Sequence, residues 1–242
     1  CVMAVGPAIG FFELILIPLL SLGGIILPGG VPPLPEDPAL IRAVPADAIL
    51  AVQWFGGTEP NPQSANATER LAANPEIKAL VSTVIEAFQK TARTEAPPEV
   101  AQGLESGLDI LDLLATRPGC LYISRIDLPP AQPNIAGGVI VNAGDKVAEA
   151  GRLMREIENF VLAQMGDGGR RPAAASSDVH GVPFRSLPLP PPVPPVAWGF
   201  SGEYLVLGVG EGTPARMIEA LKAPKGLGAT AAFVKMHAAV KT

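Results

Sequence analysis

Val196-Ala-Trp-Gly-Phe-Ser-Gly-Glu-Tyr-Leu-Val-Leu-Gly208 is the stretch on which the fold turns. Two short runs of β-forming residues, Val196–Phe200 and Glu203–Gly208, flank the turn Ser201-Gly202, which is the pattern of a β-hairpin. Alternation along a strand then puts Val196, Trp198 and Phe200 on one face of the sheet. Working outward, Val179–Leu187 reads as a strand before the proline-rich run. Cys120–Leu128 and Ile135–Asn142 read as a pair joined by a Pro-bearing loop of a length that suits an antiparallel connection. A first strand, Ala48–Phe55, follows Pro45-Ala-Asp47 and is closed by Gly56-Gly57. Strands that follow one another through short turns predict an α+β fold, an antiparallel sheet with helices packed on one face. Parallel winding would need a helix between most strands, and the sequence does not provide it.

The helices are legible from caps and periodicity. Asn74-Pro75-Glu76 supplies an N-cap, a proline at the first helical position and an acid in the first turn. Behind it Ile77, Leu80, Val81, Val84, Ile85 and Phe88 fall at helical spacing, so this helix is expected to cover an apolar sheet face. A second helix enters through Pro97-Pro98, strings Val100, Leu104, Leu108, Leu111 and Leu114 on one stripe, and ends near Pro118-Gly119. Asp145 is expected to cap a helix to about Met165, with Val147, Met154 and Val161 among its apolar positions. Asp167–Ser177 is expected to be a loop. Thr213-Pro214 starts a helix to about Lys222, with Thr213 as N-cap, and Ala231–Val240 begins a last one.

Ahead of all this lies a different kind of sequence. Val2–Leu27 holds one charge, Glu13, in an otherwise apolar run. Leu14–Leu27 has the length of a signal-peptide core, with Ser21-Leu22-Gly23 as a small-x-small site. The whole stretch is also long enough to span a bilayer as a helix, although Glu13, Pro7 and Pro18 weaken it, and a hydrophobic hairpin belonging to the globular core is the third reading. In the first two the domain is exported. The organisation that follows is a hydrophobic segment, signal-like or membrane-anchoring, over 1–30, a Pro-rich spacer over 31–38 and a single α+β domain over 39–242. The chain starts at Cys1 and stops inside a helix, which suggests a truncated piece.

Composition narrows the functional classes. The 242 residues carry a net charge of −5, and the densest basic spot is Arg170-Arg171, so nucleic acid is not an expected partner. Two cysteines, Cys1 and Cys120, make no disulfide framework. Leu207-Gly208-Val-Gly210-Glu-Gly212-Thr-Pro214 runs from a strand through glycines to a helix, but the third glycine of a dinucleotide fingerprint is replaced by Thr213; a tight turn is the simpler reading. His180 and His237 are the only histidines and neither has a second ligand at helical spacing. Ser124, Ser201 and Cys120 sit in strand or turn contexts without a nucleophile-elbow pattern. Glu105, Asp109 and Asp112 share a helix face that reads as a solvated side, and Trp54 and Trp198 read as sheet packing. Leu187–Pro195 is expected to be polyproline II, a stiff connector or a docking peptide. No catalytic, cofactor or metal residue is assigned.

Three stretches carry a resemblance. Leu34-Pro-Glu-Asp-Pro38 with Pro45-Ala-Asp-Ala-Ile-Leu-Ala-Val-Gln-Trp54, Ala136-Gly-Gly-Val-Ile-Val-Asn-Ala-Gly144, and Trp198–Glu211 are similar to exported bacterial proteins of unknown function, common in planctomycete-type genomes. The resemblance covers residues 34–242 in outline and implies an exported domain of this fold, in a family whose members continue with further strands. It brings no catalytic residues. The expectation is a non-catalytic, periplasmic or envelope-associated domain that binds a protein, peptide or surface polymer and meets the membrane only through residues 2–27. The alternative is an exported hydrolase whose site is completed by residues missing from this chain.

Overall fold

The computed structural model describes residues 32–95, 98–127, 134–165, 172–190, 193–223, 226–231 and 233–235. The apolar leader, His237 and the end of the Ala231–Val240 helix lie outside them. The elements in chain order are α1 (Pro38–Ala43), β1 (Leu50–Trp54), α2 (Ala67–Ala73), α3 (Pro75–Glu95), α4 (Pro98–Thr116), β2 (Gly119–Asp127), β3 (Asn134–Asn142), α5 (Val147–Gln164), β4 (Ala175–Val179), β5 (Val182–Leu187), β6 (Val196–Ser201), β7 (Tyr204–Val209) and α6 (Thr213–Lys222). The fold is α+β. All seven strands form one antiparallel sheet in the order β1-β2-β3-β7-β6-β5-β4. Two compact units result. One holds Pro35–Phe55, Pro118–Val147 and Ala173–Thr242; the other holds Gly56–Arg117 and Ala148–Pro172 with the residues up to Leu34.

In the sheet unit, α1 and α6 pack on one face. Cys120, Tyr122, Ile140, Val206, Phe184 and Val182 meet Leu40, Ile41, Val44, Met217 and Ile218 in one apolar cluster. The other face carries Leu121, Val139, Val141, Leu205, Val209, Val196, Trp198 and Leu187, all buried. The β6–β7 hairpin forms as its sequence predicts, with Trp198 edge-on to Phe200 at 6.2 Å on a shared face. Its turn is shifted by one residue: Ser201 pairs with Tyr204, so Gly202 and Glu203 make the loop.

One expected strand is in fact two. The expected run Val179–Leu187 breaks at His180-Gly181, where φ is 53° and 80°, and β4 folds back on β5. Two successive left-handed residues are what a type I′ hairpin demands. The Asp178 carboxylate accepts from the Gly181 N–H at 2.8 Å and helps hold the turn. The supposed loop Asp167–Ser177 therefore ends in strand β4, from Ala175 onward.

In the helical unit, Asn74 both ends α2 and caps α3, its Oδ1 accepting from the Glu76 N–H at 2.8 Å. α2, capped by Asn66 Oδ1 on the Thr68 N–H, was not foreseen. α4 and α5 are tied by the Ser106 hydroxyl, which donates to Glu156 Oε2 at 2.9 Å, while Arg152 holds the other oxygen at 2.6 Å. Burial opposes ionisation of Glu156, but those two donors hold its carboxyl below the ordinary range. The buried side of α4 is Ser106, Ile110, Leu113 and Leu114, a face rotated from the expected stripe.

The largest departure is α3. Leu80 and Val84 are 60% and 61% exposed, and no described side chain of this helix is buried. The expectation that its stripe is sealed against the sheet fails. The helix packs alongside α4. Ile77 and Val81 are half-buried, and the i, i+4 pair Leu80 and Val84 is left open.

Candidate functional site

A concave feature lined by convergent polar groups lies in the sheet unit, between the β4–β5 turn, the segment before β1 and α6. It is a cleft of about 630 Å³ lined by Pro45, Ala46, His180, Arg216, Glu219, Ala220, Lys222 and Ala223. The left-handed turn brings His180 to it. There His180 Nε2 lies 3.1 Å from Glu219 Oε1, and Lys222 Nζ donates to the His180 carbonyl. Arg216, one turn before Glu219 on α6, pairs with Asp47. α6 thus presents Arg216, Glu219 and Lys222 at three-residue spacing along one edge.

The chemistry of this lining is limited. Its lining residues carry no hydroxyl or thiol; Arg216 faces Asp47, His180 faces Glu219, and Lys222 is held by a backbone carbonyl. Half-exposed pairs of this kind are worth little in stability, about 0–1 kcal/mol each, and are screened by salt. Of the chemical candidates singled out in the sequence, His180 reaches this cleft, and Pro45 and Ala46 enter the lining from the Pro45-Ala-Asp47 segment ahead of the first strand. Arg216 and Glu219 carry no sequence reading of their own because they meet Asp47 and His180 only in three dimensions. Their one signal was the spacing of charges on the last well-marked helix.

The other sequence candidates are placed in structural roles. Cys120 is fully buried in the core, and burial pushes its thiol up to about 12. Ser124 sits at the irregularity between Ile123 and Arg125 and donates to the Ala136 carbonyl at 3.2 Å. Ser201 closes β6. Asp109 and Asp112 stand on the exposed side of α4. Trp54 lies against Gly119, where an added methyl would come within 2.2 Å of its ring. Among the described residues no group of three His, Cys, Asp or Glu side chains could hold a metal ion.

The glycine run is spent on packing. Gly210 has φ 91° and a Cβ there would lie 2.7 Å from the Ile135 carbonyl oxygen. Gly212, not Thr213, is the N-cap of α6; Thr213 is the first helical residue, and its buried hydroxyl donates to the Val209 carbonyl at 2.9 Å. The proline run is not a continuous polyproline helix either. Leu189 donates to the Leu187 carbonyl and Val193 to that of Pro190, turns that such a helix lacks.

The three stretches that carry the resemblance meet at one carboxylate. Asp37 caps α1 by accepting from the Ala39 N–H at 2.9 Å, and its other oxygen accepts from Asn142 Nδ2 at 2.7 Å and the Tyr204 hydroxyl at 3.0 Å. Burial and this hydrogen bond push the Tyr204 phenol up to about 12. These motifs together build a hydrogen-bonded anchor at Asp37. No family model, curated protein or solved structure matches the chain.

Proposed function

We propose that this chain is a non-catalytic domain, exported and held at the cell envelope, that binds a protein, peptide or surface polymer. The observation that carries this reading is the cleft itself, where Arg216 beside Asp47, His180 beside Glu219, and Lys222 present half-exposed polar and charged groups that a polar partner can engage. The apolar run Val2–Leu27 supports the address, and the resemblance to exported planctomycete-type proteins agrees with it. Among the described residues no helix is long and apolar enough to cross a membrane.

The address is tested by fusing the residues upstream of Leu34 to a reporter that matures only outside the cytoplasm. Signal is expected; a silent fusion found only in the cytoplasm overturns export. The binding role is tested with the full chain against isolated cell-wall polymer and envelope proteins. Arg216→Ala and Glu219→Ala should each weaken capture severalfold without changing the unfolding midpoint by more than a degree or two. Unchanged capture removes the cleft from the function.

A further inference from the structure

We infer that α3 is a second membrane contact: its open apolar face rests on the lipid surface at which the leader is held. This rests on the proposed attachment through residues 2–27 and goes beyond it, because it assigns a lipid-facing role to a helix of the folded domain.

The face is Ile77, Leu80, Val81 and Val84, one stripe about 10 Å long at 1.5 Å per residue. Among the described large apolar side chains of the helical unit, Leu80 and Val84 are the two most exposed. Around the rest of the helix, Glu76, Lys78, Ser82, Thr83, Glu86 and Lys90 are exposed. A long helix of balanced composition, apolar along one side and charged around the other, is the form that lies in the plane of a bilayer interface.

The point at which the chain joins the domain favours lipid over other occupants. The chain enters the described structure at Pro32-Pro33, where the Pro32 carbonyl accepts from the Thr58 N–H at 3.1 Å and Pro33 bridges to Gly57. The next residue, Glu59, reaches Lys78 of α3 at 3.5 Å. Between Pro32 and the last apolar residue of the leader, Leu27, lie four residues, Pro28-Gly-Gly-Val31, and the five steps from one to the other span at most about 18 Å. A leader held in a bilayer therefore keeps the first turns of α3 within reach of the headgroups. The entropic cost of bringing the stripe to the surface has already been met by the tether.

The test uses the full chain with Cys1→Ser, so that the buried Cys120 is the sole remaining native thiol. An environment-sensitive fluorophore is attached at Leu80→Cys or, about 200° round the helix, at Lys78→Cys. Vesicles of phosphatidylethanolamine and phosphatidylglycerol are added, and flotation is measured in parallel. Flotation with a severalfold rise and blue shift at position 80, and little change at 78, is the expected result. Flotation without a change at 80 overturns the α3 contact and leaves the attachment standing. Failure to float overturns both. A shifted spectrum at 80 before vesicles are added, growing with protein concentration, assigns the face to a second copy and overturns the lipid contact.

Discussion

Helices α5 and α3 are written in much the same way and end in opposite surroundings. Each runs five or six turns, and each carries apolar residues at three- and four-residue spacing between charges. α5 buries Ala150, Leu153, Met154, Ile157, Val161 and Leu162, whereas α3 buries no described side chain. The difference lies in the density of the stripe. In α5, small residues, Ala150 and Gly151, sit in the first turns and admit close packing, and the apolar band is continuous across two adjoining rows. In α3 the row of Ile77 and Val81 is only half-buried and the next row, Leu80 and Val84, is left over. A periodic stripe therefore certifies a helix without saying what lies over it.

Leu153→Ala should show the largest effect. Leu153 is 1% exposed, and deleting a packed leucine costs about 2–5 kcal/mol, enough to lower the denaturant midpoint steeply. A loss of less than about 1 kcal/mol would mean that α5 is no better packed than α3. Asp37→Ala comes next, at about 1–3 kcal/mol, since it removes the cap of α1 and strips Asn142 and Tyr204 of their acceptor. Calorimetry of the variant checks it. Tyr204→Phe should cost about 1 kcal/mol at neutral pH.

The same cluster gives the molecule an alkaline limit. The Tyr204 phenol and the Cys120 thiol both titrate higher in the folded chain than in an unfolded one, so the folded state holds protons that the unfolded state releases. Their contribution is complete below the unfolded pKa values, about 8.5 for a thiol and about 10 for a phenol, and is lost as pH rises towards 12. Urea midpoints should fall over that window, and less steeply above pH 10 in Tyr204→Phe. A flat profile would show that neither group is protected.

The smallest effects are expected on α3. Leu80→Ala and Lys78→Ala should each change stability by about 0.5 kcal/mol or less, because one side chain is mostly in solvent and the other makes a surface ion pair at 3.5 Å. A Leu80 effect as large as that of Leu153 would mean that the face is covered in solution.

Much of the fold was legible because it rests on local rules. Asn74-Pro75-Glu76 announces a helix start, and the alternation in Val196–Gly208 announces a hairpin. The β4–β5 turn was missed because Ser176, Ser177 and Asp178 carry no apolar alternation, and because His180 in a left-handed conformation is a position more often taken by Asn or Gly. α2 has only seven residues and too short a period to register. The cleft was the least legible part. His180 and Arg216 are 36 positions apart and owe their meeting to β5, β6 and β7 lying between β4 and the start of α6.

The contact at Asp37 also fixes an order of events in time. Asn142 lies 105 residues beyond it and Tyr204 lies 167 beyond. A ribosome adding about 5–20 residues per second exposes Asp37 roughly ten to thirty seconds before Tyr204 exists. For the first 105 residues of that stretch the α1 segment has neither β3 nor β7 to lie on, and for the rest it still lacks β7, while the β4-to-β7 meander, made of short-range pairings, can close on itself as soon as it emerges. The amino-terminal end of the domain is thus synthesised first and secured last. During that delay its apolar Leu40 and Ile41 are the residues for which a holding chaperone would have most use.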